Sequence, residues 1–285
     1  MSTQAVSADL PPLIPGPSAL GGGLRRFAFL AFTIAVTDFK LRFFGSVLGY
    51  LWQLFRPLLL FGVLYVVFTE VVRVGNGVAF YPVVLLENIV LYTYFVEASG
   101  AVTSLVDREN LIRKVQFPRL AVPAATVLTA TFNLTLNMLV VLGFAIASGV
   151  EVRWTWLELP FLLLCLSALS TGLAMLLSAL YVRFRDVKPI WEVILQMLFY
   201  ATPIIYTIDS LQHLSEPLKH LIMCNPLAAI IEQARYAVID PNAQTAAQAI
   251  GGTARLLIPA GIALAIIGAG LIVFKRSAPD LAERL

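Results

Sequence analysis

Residues Leu120 to Val150, LAVPAATVLTATFNLTLNMLVVLGFAIASGV, hold no charged side chain over 31 positions. As a helix that stretch is about 46 Å long, and about 20 apolar residues suffice to cross ~30 Å of hydrocarbon. It reads as a membrane span. Two further stretches are equally clean: Leu159–Val182, uncharged over 24 residues, and Leu256–Phe274, uncharged over 19. Three more are apolar but interrupted. Residues 50–72 carry Arg56-Pro57 and Glu70, residues 78–106 carry Glu87 and Glu97, and residues 189–208 carry Glu192. The expected architecture is an all-α membrane protein with six transmembrane helices.

Composition supports this class. Hydrophobic residues make up 59% and charged residues 13% of the chain, and mean hydropathy is +0.85. A soluble domain carries roughly 25% charged residues. Residues 1–23 are rich in Pro, Ser and Gly and lack a basic-then-apolar leader, so they read as a disordered cytoplasmic tail. Residues 276–285 read as a second cytoplasmic tail. With both termini inside, 15 of the 20 Lys and Arg fall on the cytoplasmic side, the asymmetry that orients multi-pass proteins.

Leu24–Phe44 precedes the first span. Phe29, Phe32, Val36, Phe39 and Phe43 recur at steps of three and four, with Arg26, Thr33, Thr37 and Lys40 on a rotated face. This spacing predicts an amphipathic helix in the cytoplasmic interface. An extra span beginning at Ala28–Val36 is the alternative, which Asp38, Lys40 and Arg42 cut short. Residues 209–252 are too long for a plain connection. Asn225-Pro226 reads as a helix start, followed by the stripe Leu227, Ile230, Ile231, Ala234 and Val238. Short external helices re-entering the outer leaflet, or a folded cap, fit this segment.

Polar residues inside spans need partners or water. Thr126, Thr129, Asn133 and Asn137 share one face of the third span. Lys188, Glu192, Gln196 and Tyr200 form an i, i+4 row on the fifth, with Pro203 beyond. Each row serves either interhelical bonding or a polar path. Glu87 and Glu97 are open to the same two readings, and Glu97 is within reach of an inner basic residue. Ser167, Ser170, Thr171, Ala174 and Ser178 form a small-residue packing face. The chain has no phosphate-cradling loop, no His-Glu-x-x-His and no Gly-x-Ser-x-Gly. Cys165 and Cys224 read as free thiols, and His213 and His220 as surface residues.

Four stretches in order resemble the permease subunit of polysaccharide-exporting ABC transporters, the O-antigen, capsule and teichoic-acid group. They are Asp38–Trp52 followed by Pro57; Glu109–Arg119; Tyr181–Val187 running on to Thr202-Pro203-Ile204-Ile205-Tyr206; and Asn225-Pro226 with Arg235 downstream. Together they cover about residues 24–275. Arg56 departs from the family, whose members often carry a neutral polar residue there.

The resemblance implies a homodimer bound to two separate ATPase subunits, which alone bind ATP and magnesium. This chain is then a transport subunit with no catalytic residues, no cofactor and no metal. Nucleic acid is not an expected partner. The segment 107–119 is implied to be a coupling helix, with Asn110, Leu111, Ile112, Arg113, Lys114, Val115, Phe117, Pro118 and Arg119 gripping the ATPase. Its apolar residues rimmed by charge independently suit a protein interface. Arg183, Arg185 and Asp186 match a second contact. The implied cargo is a polysaccharide on a polyprenyl diphosphate lipid, moved outward across the bacterial plasma membrane. Lys40, Arg42 and Arg56 are candidates for its head group, and Trp52, Glu87, Glu192, Gln196, Tyr200 and Tyr206 for the path or gate. Residues 209–252 are implied to form the external gate. An exporter of a small lipid, drug or lipo-oligosaccharide is the nearest rival. A membrane-embedded glycosyl- or acyltransferase, or a plain scaffold subunit, is more distant.

Overall fold

The computed structural model describes residues 23–43, 49, 51–72, 77–109, 118–211 and 214–278. All secondary structure among them is helical. In chain order, α1 is Leu24–Phe43, and α2 is Leu51–Val66, continued by a π turn Val67–Val71. α3 is Tyr81–Ser99, continued through Gly100–Thr103 and Ser104–Asp107, and α4 is Ala121–Ala147. α5 is Glu158–Arg183, entered through Trp154–Leu157. α6 is Val187–Ala201, α7 Glu216–Met223, α8 Pro226–Val238, α9 Ala246–Ala249 and α10 Leu257–Ser277.

Among the described residues, five helices are long and apolar enough to cross a membrane: Leu51–Val71, Tyr81–Asp107, Ala121–Ala147, Trp154–Arg183 and Thr253–Ser277. Residues 189–208, expected as one span, are not one continuous helix. α6 stops at Ala201 after 15 residues, about 22 Å, short of the ~30 Å hydrocarbon core. Pro203 causes the stop, because a residue before proline is pushed out of the α region. Thr202 accordingly sits at φ −95°, ψ 144°, and residues 202–206 bend without forming a helix.

α3 is the core of the bundle: 67% of its membrane window is buried, against 6% for α2 and 11% for α10. Tyr94 ties three helices together, its hydroxyl donating to Ser167 Oγ on α5 at 2.8 Å and lying 3.3 Å from Thr131 Oγ1 on α4. Ser170, Ala174 and Ser178 are wholly buried, as expected for a close-packing face. α5 and α10 touch backbone to backbone. A Cβ on Gly270 would stand 2.2 Å from the Gly172 carbonyl oxygen, so only glycine fits.

α1 is a helix as expected; Ala31 and Ala35 are its buried contacts with the bundle, Phe27 packs beside them, and Phe32 and Phe39 each stand edge-on to Phe132 of α4. Thr129 Oγ1 reaches the Ala35 carbonyl at 3.3 Å, while Phe29 and Phe32 stay exposed. Small residues let two backbones approach where lipid removes the hydrophobic incentive to bury large ones. The tails 1–22 and 279–285 lie outside the described residues.

Candidate functional site

α2 bears a proline in its interior. Pro57 has no N–H, so the helical bond back to the Gln53 carbonyl is missing. Gln53 and Pro57 are the buried residues of α2, and there it meets the bundle. Gln53 Nε2 donates to Glu97 Oε1 on α3 at 2.8 Å, and Asn133 Nδ2 on α4 donates to Glu97 Oε2 at 2.9 Å. Arg42, in the last turn of α1, brings Nη1 to 3.9 Å from Glu97 Oε1. Beside them lies a cavity of about 10 Å³, room for one water, lined by Gln53, Arg56, Thr93, Glu97, Asn133 and Asn137. Three elements, α1, α2 and α4, thus converge on one carboxylate of α3.

Arg56 lines this cavity, and Arg42 approaches it through Glu97; both arginines are exposed. Lys40 is exposed on α1 and has no ion pair among the described residues. Trp52 is half exposed on α2. Glu192, Gln196 and Tyr200 stand together on the open side of α6, whose one buried residue is Trp191. Tyr206 folds back to donate to the Tyr200 carbonyl at 3.1 Å. Glu87 is separate from this group. It is fully enclosed in the bundle core, and its oxygens accept no hydrogen bond among the described residues.

Of the coupling residues, Asn110, Leu111, Ile112, Arg113, Lys114, Val115 and Phe117 lie outside the described residues. Pro118 and Arg119 are buried at the foot of α4. The root of the segment is tied to α1 by an ion pair between Arg108 and Asp38. Arg183, Arg185 and Asp186 are exposed beyond α5, with Arg183 over the Phe184 ring at 5.2 Å and Arg185 over Tyr181 at 5.0 Å.

Two features have no counterpart in the sequence reading. The first is a ladder on α3 that captures the broken end of α6. Tyr81 Oη donates to the Ile205 carbonyl at 2.8 Å, Asn88 Nδ2 to the Pro203 and Ile204 carbonyls at 3.1 Å each, and Tyr92 Oη to the Leu195 carbonyl. Lower down, Trp191 Nε1 donates to Ser99 Oγ at 3.2 Å. Irregular backbone is tolerated at membrane depth where protein satisfies it. The spacing 81, 88, 92, 99 is one helical face, a signal that was legible. Asn225, the N-cap of α8, holds the other side by donating to Thr202 Oγ1 at 3.0 Å.

The second is an ion cluster at the Tyr81 end of the bundle. Arg235 Nη1 donates to Glu232 Oε1 and Nη2 to Asp209 Oδ2, both at 2.8 Å, with Asp240 Oδ2 at 4.0 Å. Burial pushes the Glu232 carboxyl up to about 7, against the pull of Arg235. Among the described residues no group of three His, Cys, Asp or Glu could hold a metal ion.

A bundle of membrane-length apolar helices, with an N-terminal helix strapped to it and a broken sixth helix, is the fold of a multi-pass membrane protein. Residues 30–239 match the family described as ABC-2 type transporter, and the chain belongs to that family. It is similar to an O-antigen export system permease protein, RfbA, of Myxococcus xanthus, with 24% identity over 267 residues, 92% of this chain and 97% of the relative. Two RfbA permeases of Klebsiella pneumoniae are 28% and 29% identical, each over 71% of this chain and 77% of the relative.

Proposed function

We propose that this chain is the transmembrane subunit of an ABC exporter that moves polysaccharide carried on a polyprenyl diphosphate lipid outward across the bacterial cytoplasmic membrane. Two copies pair, and a separate ATPase subunit on each supplies the work, binding ATP and magnesium. Both termini lie on the cytoplasmic side.

The observation that carries this reading is the open side of α6. Glu192, Gln196 and Tyr200 are exposed on a helix that protein barely covers. In a lone protomer these polar groups would meet lipid, which is unfavourable. Facing a second copy they become the wall of a polar path wide enough for a glycan. Similarity to O-antigen export permeases along nearly the whole chain supports the same cargo class.

In this mechanism the segment 107–119 receives motion from the ATPase, with Arg183, Arg185 and Asp186 as a second contact. The Arg108–Asp38 ion pair passes that motion to α1. α1 carries Lys40 and Arg42 to the head group, and Arg56 faces it from α2. The protein does no covalent chemistry; it stabilises inward-open and outward-open states differently.

The test is reconstitution. Permease and ATPase together in proteoliposomes are expected to move a lipid-linked glycan in an ATP-dependent way, and Phe117→Asp is expected to abolish ATPase association. Sustained directional movement by the permease alone, or unimpaired association of the Phe117→Asp variant, overturns the reading.

A further inference from the structure

We infer that Glu97 is an internal stand-in for the cargo's diphosphate: it holds Arg42 at the cavity mouth while no cargo is bound and yields it when a diphosphate lipid arrives. The inference rests on the head-group reading above.

Glu97 does not depend on Arg42 for its place. Two neutral amides, Gln53 and Asn133, fix its two oxygens at 2.8 and 2.9 Å. Arg42 makes only a loose approach, at 3.9 Å, with its side chain 46% exposed. A contact of that length and exposure is weak and easily exchanged. The carboxylate is anchored and the cation is free to turn away.

Cations are in surplus here. Arg42 approaches Glu97 and Arg56 lines the cavity beside it, two guanidiniums to one carboxylate, while Asp38 is already taken by Arg108. A dianion is the complementary ligand, and guanidinium groups suit phosphate oxygens. The cavity has room for one water and none for a phosphate, so the diphosphate must meet Arg42 on its exposed side. As Arg42 swings to it, Glu97 stays behind as an uncompensated negative charge. That charge limits how tightly the anion is held, which favours release over trapping.

The testing variant is Glu97→Gln. It removes the charge and keeps the shape. Asn133 Oδ1, buried and without a donor among the described residues, can accept from the new amide. The full permease–ATPase complex is placed in phosphatidylcholine nanodiscs and titrated with geranylgeranyl diphosphate. Inorganic pyrophosphate and uncharged geranylgeraniol separate free anion from lipid head group and tail.

E97Q is expected to bind geranylgeranyl diphosphate about two- to fivefold more tightly than wild type, the scale of a half-exposed ion pair. Pyrophosphate is expected to show the same ratio at lower affinity, and geranylgeraniol none. E97D, which keeps the charge, is expected to bind like wild type, and the gain is expected to vanish in R42Q/E97Q. Equal or weaker binding by E97Q overturns the inference alone. So does a gain shared by E97D, by geranylgeraniol or by R42Q/E97Q. A wild-type complex that binds no diphosphate at all overturns the head-group reading, and the inference with it.

Discussion

An arginine meets a glutamate twice in this molecule, in opposite ways. At the Tyr81 end, Arg235 and Glu232 lie 2.8 Å apart with side chains 4% and 1% exposed, and Asp209 adds a second bond at 2.8 Å. About 24 Å along α3, Arg42 and Glu97 lie 3.9 Å apart and are 46% and 17% exposed. The first cation has nowhere else to go, because leaving would strand the Glu232 carboxylate in a place water hardly reaches and take from Asp209 its bond. The second can turn to solvent or to a ligand without leaving an unsatisfied group, since Glu97 keeps its two amide donors. Residue types alone do not separate a lock from an exchangeable contact. Burial and the independence of each partner's other bonds do.

The strongest way to break this comparison is Arg235→Ala. Removing one partner of a buried ionic network costs about 3–5 kcal/mol, because the remaining charge is uncompensated. The variant is expected to lose most of its folded yield, read by fluorescence-detected size-exclusion chromatography. Converting the partners together, Arg235→Met with Glu232→Leu and Asp209→Asn, is expected to restore much of it. An unchanged yield for Arg235→Ala would mean the cluster is not a lock.

Next in size is Asn88→Ala. It strips the donor from the Pro203 and Ile204 carbonyls, and each stranded buried group costs about 1–3 kcal/mol. The expected reading is faster amide exchange at residues 202–206 with little change in α4 or α5. Uniform loosening of the whole bundle would show that the α3 ladder holds more than the broken end of α6.

Glu232 gives the comparison a pH axis. Its folded-state pKa of about 7 lies above the ordinary value of 4.5. Between those two values the folded state binds more protons than the unfolded chain, so stability falls as pH rises towards about 7 and then levels off. Melting temperature is expected to decline from pH 5 to pH 7 and to flatten above it. Glu232→Gln is expected to erase that slope, and a slope that survives assigns the titration elsewhere.

Much of this was legible in the sequence. The three uncharged runs fall in helices long and apolar enough to cross a membrane, and they were legible because length and apolarity are one-dimensional properties. Of the row Thr126, Thr129, Asn133 and Asn137, the last three are buried against protein, while Thr126 is half-buried and bonds the Val122 carbonyl of its own helix. α6 was read too long because its apolar run continues past Ala201 in Ile204, Ile205 and Ile208, and Pro203 outweighs that run locally. The phenylalanine spacing of α1 marked a helix but not which residues it buries: Ala31 and Ala35 are enclosed, while Phe32 and Phe39 meet Phe132 of α4 at the edge of the contact. Glu87 and Glu97 looked alike in sequence, ten residues apart on one helix. Only tertiary packing makes one a sealed core residue and the other the anchor of a cavity. The coupling residues 110–117 fall outside the described residues, so that part of the reading rests on sequence.

The smallest expected effect on stability is the one that matters most for transport. Arg42→Gln removes a cation held loosely at the surface, and such pairs contribute about 0–1 kcal/mol. Folded yield and melting temperature are expected to match wild type, in contrast to Arg235→Ala. Stimulation of the partner ATPase by geranylgeranyl diphosphate is expected to drop, because the residue proposed to meet the head group is gone while the rest of the protein stands intact. Arg42→Lys is expected to recover only part of that response, since an ammonium cannot grip phosphate oxygens in a planar fork. If Arg42→Gln instead lowers the melting temperature as much as Asn88→Ala does, Arg42 is a structural tie and the two arginines are the same device. Full stimulation in the presence of a normal melting curve would place the head group elsewhere on the protomer.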